Sequence, residues 1–416
     1  MKITTVGGGS TYTPELAQGF IERQEKLGLR EWWLMDTDPE RLQVVGGFAR
    51  RMVAAAGGSF EVRLTSDLRA ALEGADFVII QIRVGGMAAR RRDEYLGRRW
   101  GLVGQETTGI GGMACALRTV PVMLSLAEAI ERHSPRACLV NFTNPSGLVL
   151  EALQRHAPQV RSVGLCNSPI GYQMAAAAIL GLPGPFEVHL DYLGLNHLAW
   201  IRGARARGED VWQRLGAIAE PSGASKVEER LGVICNYYLQ YYYCTGSVLE
   251  KQRLEEASRA DQVIDIEKRL LEKYADPSLD RMPPELLERG GAFYSTAAAQ
   301  LIEAMALDLG EVHIVNTRQA GAVPGVPADW VMELPCEVRR DEIRPLPAAP
   351  LPLFADGLMR TVKSYELLTI QAALAGDRQA ALGALIAHPL GPDADQALEV
   401  LADLLETNRD FLPRFF

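Results

Sequence analysis

Two short segments carry side chains with evident chemical potential. Gly164-Leu165-Cys166-Asn167-Ser168-Pro169 is followed, about thirty residues later, by Gly194-Leu195-Asn196-His197, so a thiol and an imidazole share a chain that opens MKITTVGGGSTYTPE. As a ligand pair, a thiolate and an imidazole would favour zinc over manganese on softness alone. Their spacing follows no standard ligand motif, and a cysteine behind Gly-Leu equally suits a small core position. Arg83, Arg90 and Arg259 are candidate anion ligands, each open to an ordinary surface or helix-pair role. Tyr237, Tyr238, Tyr241 and Tyr242 fall at helical i, i+3, i+4 spacing, a stripe that ordinarily packs a core.

These groups need a frame, and the N-terminal half supplies one. Lys2 to Val6 reads as a strand, Gly7-Gly8-Gly9-Ser10 as a turn, and Pro14-Glu15-Leu16 as a first helical turn. Gly7 and Gly9 match the first two glycines of a dinucleotide fingerprint, whereas the third position holds Tyr12. A second strand ends at Asp36, where a carboxylate would meet a ribose hydroxyl and repel a 2′-phosphate, favouring NAD over NADP. Asp38 and Pro39 then open the next helix. Further strands are expected over 61–64, 76–82, 137–141 and 161–165, with helices between them, which predicts a parallel sheet covered on both faces.

At the end of the third of these, Asn141-Phe-Thr-Asn144-Pro145 sets two amides at the carboxyl edge of the sheet, where open α/β folds bind ligands. Gln105-Glu106-Thr107-Thr108-Gly109-Ile110-Gly111-Gly112 is a polar loop ahead of a helix, readable as a binding loop or as a long connection. After about residue 170 long helical patterns dominate, over 226–274 and 354–409, with strands expected at 187–193, 312–316 and 330–333. The expected organisation is a Rossmann-like domain over 1–170 and a second, helix-rich mixed α/β domain over 171–416. The proline-rich run from Arg344 to Pro352 reads as an extended crossing segment.

Composition bounds the rest. With 23% charged and 48% hydrophobic residues the chain falls in the ordinary globular class rather than the disordered or membrane classes. A formal net charge of −9 without a basic run argues against sequence-independent nucleic-acid binding, and leaves room for a small anionic substrate held by local arginines. The first residues run straight into a strand, with no leader pattern, and no uninterrupted apolar stretch is expected to span a membrane, so a cytoplasmic protein is expected. Cysteines 115, 138, 166, 235, 244 and 336 form no CxxC or disulfide framework and read as reduced thiols.

Taken in order, GGGSTYTPEL, DFVIIQIRVGG, GLVGQETTGIGG, NFTNPSG, GLCNSPIG, GLNHL and EVHIVNTRQAG resemble glycoside hydrolase family 4, the NAD- and metal-dependent glycosidases, and most of all its 6-phospho-β-glucosidases. The likeness runs from residue 1 through AHPLGPD at 387–393. It implies a lactate-dehydrogenase-like NAD domain and a second domain that completes the active site. It also implies a redox-assisted elimination rather than the two-carboxylate scheme of most glycosidases. NAD would take hydride from sugar C3, a base would take the acidified C2 proton, the glycosidic oxygen would leave C1, water would add, and the hydride would return.

Position by position, the resemblance assigns Cys166 and His197 as ligands of a divalent ion, usually manganese, on the sugar's 2- and 3-oxygens, which displaces the lean towards zinc. It assigns Tyr238 as the base, Arg90, Asn144 and Arg259 as substrate contacts, and Gly7, Gly9, Ser10 and Asp36 to the NAD segment. Asn167 stands where the α-specific branch carries an aspartate able to protonate the leaving group, which supports β specificity. A homodimer or homotetramer is implied. The expected activity is hydrolysis of 6-phospho-β-glucosides. The alternatives are a family member acting on an α-linked or non-phosphorylated glycoside, an NAD-linked hydroxy-acid dehydrogenase with His197 as acid–base group, or an NAD-sensing regulator.

Overall fold

The computed structural model describes residues 1–215, 225–289 and 293–416. Six strands form the N-terminal half: β1 Lys2–Val6, β2 Glu31–Met35, β3 Glu61–Thr65, β4 Phe77–Ile80, β5 Cys138–Asn141 and β6 Ser162–Gly164. They lie side by side in the order β3-β2-β1-β4-β5-β6, all parallel. This is the dinucleotide-binding strand order, so the expected Rossmann-like sheet is present. Every residue of β4 and β5 is buried, as befits central strands covered by helices on both faces.

The local signals behave as their chemistry requires. Asp38 caps the helix Pro39–Ala55 by accepting from the Arg41 amide, with Pro39 in the first turn. Tyr12, at the missing third glycine, has φ −83°, a right-handed conformation that needs no glycine.

The remaining strands are β7 Val188–Leu195, β8 Leu198–Ala206, β9 Glu209–Asp210, β10 Ile234–Cys235, β11 Glu311–Arg318, β12 Val331–Val338 and β13 Ile343–Pro345. They do not form a separate sheet. β11 pairs antiparallel with β6 through Asn316 and Gly164, and the order continues β6-β11-β12-β7-β8-β10. The second half therefore extends the nucleotide-binding sheet and carries its own side chains up to the carboxyl ends of β4, β5 and β6.

Two sequence expectations are corrected in detail. The helical run over 226–274 is broken into Ser225–Leu231, β10, a single 3-10 turn Tyr237–Leu239, and the helices Gln240–Tyr243, Thr245–Leu254 and Arg259–Ala275. Gly232, at φ 66°, ends the first of these. In addition, the helix Gly109–His133 is by length and composition apolar enough to cross a membrane, contrary to the expectation that no stretch would be. Its apolar window is 72% buried inside the protein, where it packs against the helices Gly86–Arg99 and Leu353–Ala375, so its hydrophobicity is that of a core helix. The Arg118 it carries is matched inside by Asp93, in a bidentate pair at 2.8 and 2.6 Å.

Candidate active site

A cavity of about 1070 Å³ opens along the carboxyl edge of the parallel strands, large enough for a dinucleotide and a further small molecule together. Its first end is built by the glycine turn. Gly7 has φ 90°, and a Cβ there would lie 2.7 Å from the Gln81 carbonyl oxygen. The Gly9 amide donates to Asp36 Oδ2 at 2.8 Å, and a Cβ at Gly9 would approach the same oxygen to 2.9 Å. Asp36 therefore ties β2 to the turn as well as lining the cavity, beside Gly7, Gly9 and Ser10. The following helix, Thr13–Ile21, starts directly at this turn, its first amides bonded to the Ser10 and Tyr12 carbonyls.

The opposite end gathers the candidate chemistry. Cys166 leaves β6 and caps the helix Asn167–Leu180, its sulfur accepting from the Ser168 amide. His197 occupies the two-residue hairpin between β7 and β8 with φ 65°, a left-handed conformation costing roughly 1–2 kcal/mol for a residue with a Cβ. Although distant in sequence, Cys166 Sγ and His197 Nε2 lie 3.4 Å apart. A tetrahedral ion bound by both would hold such a sulfur and nitrogen about 3.5 Å apart, so the pair fits a metal. Among the described residues no third histidine, cysteine or carboxylate joins them, which leaves the other coordination positions to substrate or water.

The protonation logic of the pair is set by its neighbours. The Thr107 hydroxyl donates to Gln105 Oε1 at 2.8 Å, an oxygen that can only accept. Thr107 Oγ1 must then accept from His197 Nδ1, 3.0 Å away, so the proton sits on Nδ1 and the Nε2 lone pair faces Cys166. Burial pushes the imidazole down to about 4, keeping it neutral, and in the metal-free protein it pushes the Cys166 thiol up to about 12, with Glu333 adding to the effect. A bound dication would reverse the second shift.

Tyr238 stacks on His197, ring centroids 3.6 Å apart and planes 7° from parallel. Asn236 accepts from the Tyr238 amide at 3.1 Å, while Tyr172, on the Asn167–Leu180 helix, accepts from the Tyr237 amide at 2.7 Å. The turn is thus fixed from both sides. Burial first, and the Cys166 sulfur next, hold the Tyr238 phenol well above its ordinary value, so only added positive charge can make it a base. The core-stripe expectation for its neighbours is corrected. Tyr237 is 44% exposed, Tyr237, Tyr238 and Tyr241 line the cavity, and only Tyr242 turns inward, its hydroxyl 2.6 Å from Thr108 Oγ1.

The arginines differ sharply. Arg90 faces the cavity but pairs with Glu94 at 2.9 Å and Glu106 at 3.3 Å, and Arg83 pairs with Glu106 at 2.5 Å. Burial works to raise the Glu106 carboxyl, but Arg83 and Arg90 outweigh it and hold it down at about 2. Arg259 begins the helix Arg259–Ala275 and bonds Gln262 Oε1 at 3.0 Å and the carbonyls of Glu288 and Arg289 at 3.0 and 3.1 Å. All three partners are neutral, which leaves its charge available to an anion. Asn144 and Asn167 line the cavity between the two ends. Asn141, the other amide of its motif, folds back on Thr143 and is fully buried. Arg289, which no sequence signal singled out, lies over the Tyr12 ring at 4.0 Å and pairs with Glu267.

The polar 105–112 loop is therefore part of the site rather than a mere connection. Cys166 and His197 themselves lie just behind the cavity wall, their neighbours Asn167 and Tyr238 forming its surface.

Comparison with known proteins identifies relatives that span the whole chain. Residues 2–182 match the model of family 4 glycosyl hydrolases, and residues 192–391 match that of the family's C-terminal domain. The chain is 40% identical to a probable 6-phospho-β-glucosidase of Bacillus subtilis, covering 100% of this chain and 98% of that protein. The structure of a Thermotoga maritima 6-phospho-β-glucosidase with manganese, NAD+ and glucose-6-phosphate superposes with a TM-score of 0.94 at 38% identity, covering 99% of both chains. A phospho-α-glucosidase of Clostridium acetobutylicum is 32% identical, covering 98% of each.

Proposed function

This chain belongs to glycosyl hydrolase family 4, and from that premise we propose that it is a 6-phospho-β-glucosidase using NAD and a divalent ion, manganese by preference. The observation that carries the reading is the convergence of Cys166, His197 and Tyr238 at the far end of a cavity that begins at Gly7, Gly9, Ser10 and Asp36. When bound, NAD+ supplies reversible hydride acceptance at sugar C3, and the divalent ion supplies Lewis acidity at the 2- and 3-oxygens.

The chain's own residues do the remainder. Cys166 and His197 hold the ion through Sγ and Nε2. Tyr238 Oη takes the C2 proton, its phenolate favoured by the positive charge that the ion and the oxidised nicotinamide bring beside it. Asn167 donates a hydrogen bond, but no proton, to the departing oxygen, which suits β-linked substrates. Arg259, Arg90 and Asn144 orient the sugar and its 6-phosphate, with Arg259 contributing the uncompensated charge. Asp36 accepts from an adenosine ribose hydroxyl.

A hydroxy-acid dehydrogenase would need His197 to carry a proton to substrate. That imidazole is instead pinned at both nitrogens and kept neutral by burial. We assign residues 1–170 to dinucleotide binding and 171–416 to completion of the site, in a cytoplasmic homodimer or homotetramer.

The test is a panel of 4-nitrophenyl α- and β-glycosides, with and without a 6-phosphate, assayed with NAD, manganese and a thiol reductant. The reading expects the 6-phospho-β-glucoside to be cleaved best. Preference for an α anomer or for an unphosphorylated sugar would replace it with another activity of the family.

A further inference from the structure

Behind the proposed metal pair, one row of residues crosses four adjacent strands. Gly164 of β6 pairs with Asn316 of β11, Asn316 with Glu333 of β12, and Glu333 with Gly194 of β7. Gly164 lies two residues before Cys166 and Gly194 three before His197, so Asn316 and Glu333 sit between the strands that deliver the two ligands. A Cβ on Gly164 would approach the Asn316 Cβ to 3.0 Å, so glycine leaves the room this row needs.

Glu333 is completely buried in the strand VMELPCEV, whose second carboxylate, Glu337, is instead paired with the exposed Arg339 and Arg344; among the described residues no cation partners Glu333. Asn196 and Asn316 donate to Oε1 at 2.9 and 3.0 Å, and the Tyr192 hydroxyl donates to Oε2 at 2.6 Å. Tyr192 Oη in turn accepts from Asn236 Nδ2 at 2.9 Å. Burial raises the Glu333 carboxyl above its ordinary value, while its bonds from Tyr192, Asn196 and Asn316 work the other way.

Each arm of this carboxylate leads to the site. Asn196 adjoins His197 in the β7–β8 hairpin, so its bond to Glu333 holds the turn that presents the imidazole. Tyr192 holds Asn236, whose side chain caps the turn that presents Tyr238.

We propose that Glu333 is the positioning residue of the whole centre. Through Asn196 it fixes the hairpin that presents His197, and through Tyr192 and Asn236 it fixes the Tyr238 turn. The inference rests on the metal-site reading given above. It makes Glu333 and Asn196 act on metal affinity together, and Tyr192 act on the proton step alone.

The experiment is a titration of free Mn2+ by electron paramagnetic resonance on NAD-loaded, substrate-free protein. It is combined with solvent-deuterium incorporation at sugar C2 during turnover. Cys166→Ser serves as the control for the site itself. Glu333→Gln should weaken manganese binding about ten- to a hundredfold, the usual effect of removing a group that orients a ligand, with NAD affinity unchanged. Asn196→Ala should weaken it comparably, and adding Glu333→Gln to Asn196→Ala should cost nothing further, because the two act in series. Tyr192→Phe should leave manganese affinity at the wild-type level and slow deuterium incorporation.

Wild-type manganese affinity in both Glu333→Gln and Asn196→Ala would overturn the proposal, as would fully additive losses in the double variant. If Glu333→Gln does not fold, the split between Asn196→Ala and Tyr192→Phe decides alone, and its absence overturns the proposal equally. Undiminished manganese binding in Cys166→Ser would instead refute the metal-site reading, a result distinct from either.

Discussion

Replacing Thr107 by valine removes one oxygen from the site while keeping its shape, and the consequences can be followed atom by atom. The Thr107 hydroxyl stands between Gln105 Oε1 and His197 Nδ1 at 2.8 and 3.0 Å. Gln105 keeps two other donors, the amides of Thr107 and Thr108 at 2.5 and 2.9 Å, so the loop retains its anchor. His197 does not. Its buried Nδ1–H either stays without an acceptor, at about 1–3 kcal/mol, or the proton moves to Nε2 and closes the lone pair that faces Cys166. Both routes work against metal binding, and the expected loss is about ten- to a hundredfold in manganese affinity, or about 1.4–2.7 kcal/mol. Manganese titration of the NAD-loaded variant measures it directly, with NAD affinity as the control. Thr107→Ser restores the oxygen and should recover most of the affinity. Wild-type affinity in Thr107→Val, or equal losses in the valine and serine variants, would refute the tautomer argument.

Three other expectations concern the arginine cluster and the thiol. Glu106 is held at about 2, below its ordinary 4.5, so its contribution to stability is complete above pH 4.5 and is lost as pH falls through 2, about 3 kcal/mol in all. Glu106→Gln should therefore be much less stable than wild type in urea at pH 7, with the gap narrowing towards pH 3; parallel curves would show that the carboxylate charge is not what holds Arg83 and Arg90. Arg259→Ala should raise KM for the phosphorylated substrate by about ten- to a hundredfold and leave NAD affinity alone, whereas Arg90→Ala should also lower the melting temperature because it removes the cation from Glu94 and leaves Glu106 with Arg83 alone. Equal effects of the two substitutions on stability would contradict the distinction drawn between them. Cys166→Ser should lose manganese and most activity while keeping its melting temperature in metal-free buffer, and retained metal would return Cys166 to a core role.

Much of the nucleotide half was legible because its signals are local. The strand at residues 2–6, the glycines at 7 and 9, and the Asp38-Pro39 cap each act within one turn of chain, and the order of the parallel strands follows from linking them by helices. The second half was harder for the opposite reason. β7, β8, β11 and β12 pair across long stretches of sequence, so nothing in any one window reveals that they extend the same sheet. The i, i+3, i+4 spacing of Tyr237 to Tyr242 is shared by one long helix and by a 3-10 turn followed by a short helix, and only Gly232 and Asn236 hint at the breaks.

Cys166 and His197 came together through family resemblance, not spacing, since their 3.4 Å approach depends on β6 and the β7–β8 hairpin being neighbours of the same pair of strands. Thr107 lies in a loop whose sequence reads equally as a binding loop or a long connection. Glu333 did leave a trace: between Met332 and Leu334 in VMELPCEV it stands among apolar residues, whereas the strand's other carboxylate, Glu337, falls near its end.

The central claim is that this chain cleaves a glycoside by borrowing and returning a hydride, with Tyr238 removing the C2 proton in between. It is tested most directly by following 4-nitrophenyl 6-phospho-β-glucoside in D2O with cofactor-stripped enzyme, before and after NAD is restored, in wild type and Tyr238→Phe. The account predicts no cleavage without NAD and full cleavage with catalytic NAD. It predicts no net NADH, deuterium at C2 of the wild-type product, and neither cleavage nor exchange in the variant. Full turnover by verified NAD-free enzyme, or product from the wild type carrying no deuterium at C2, would contradict it.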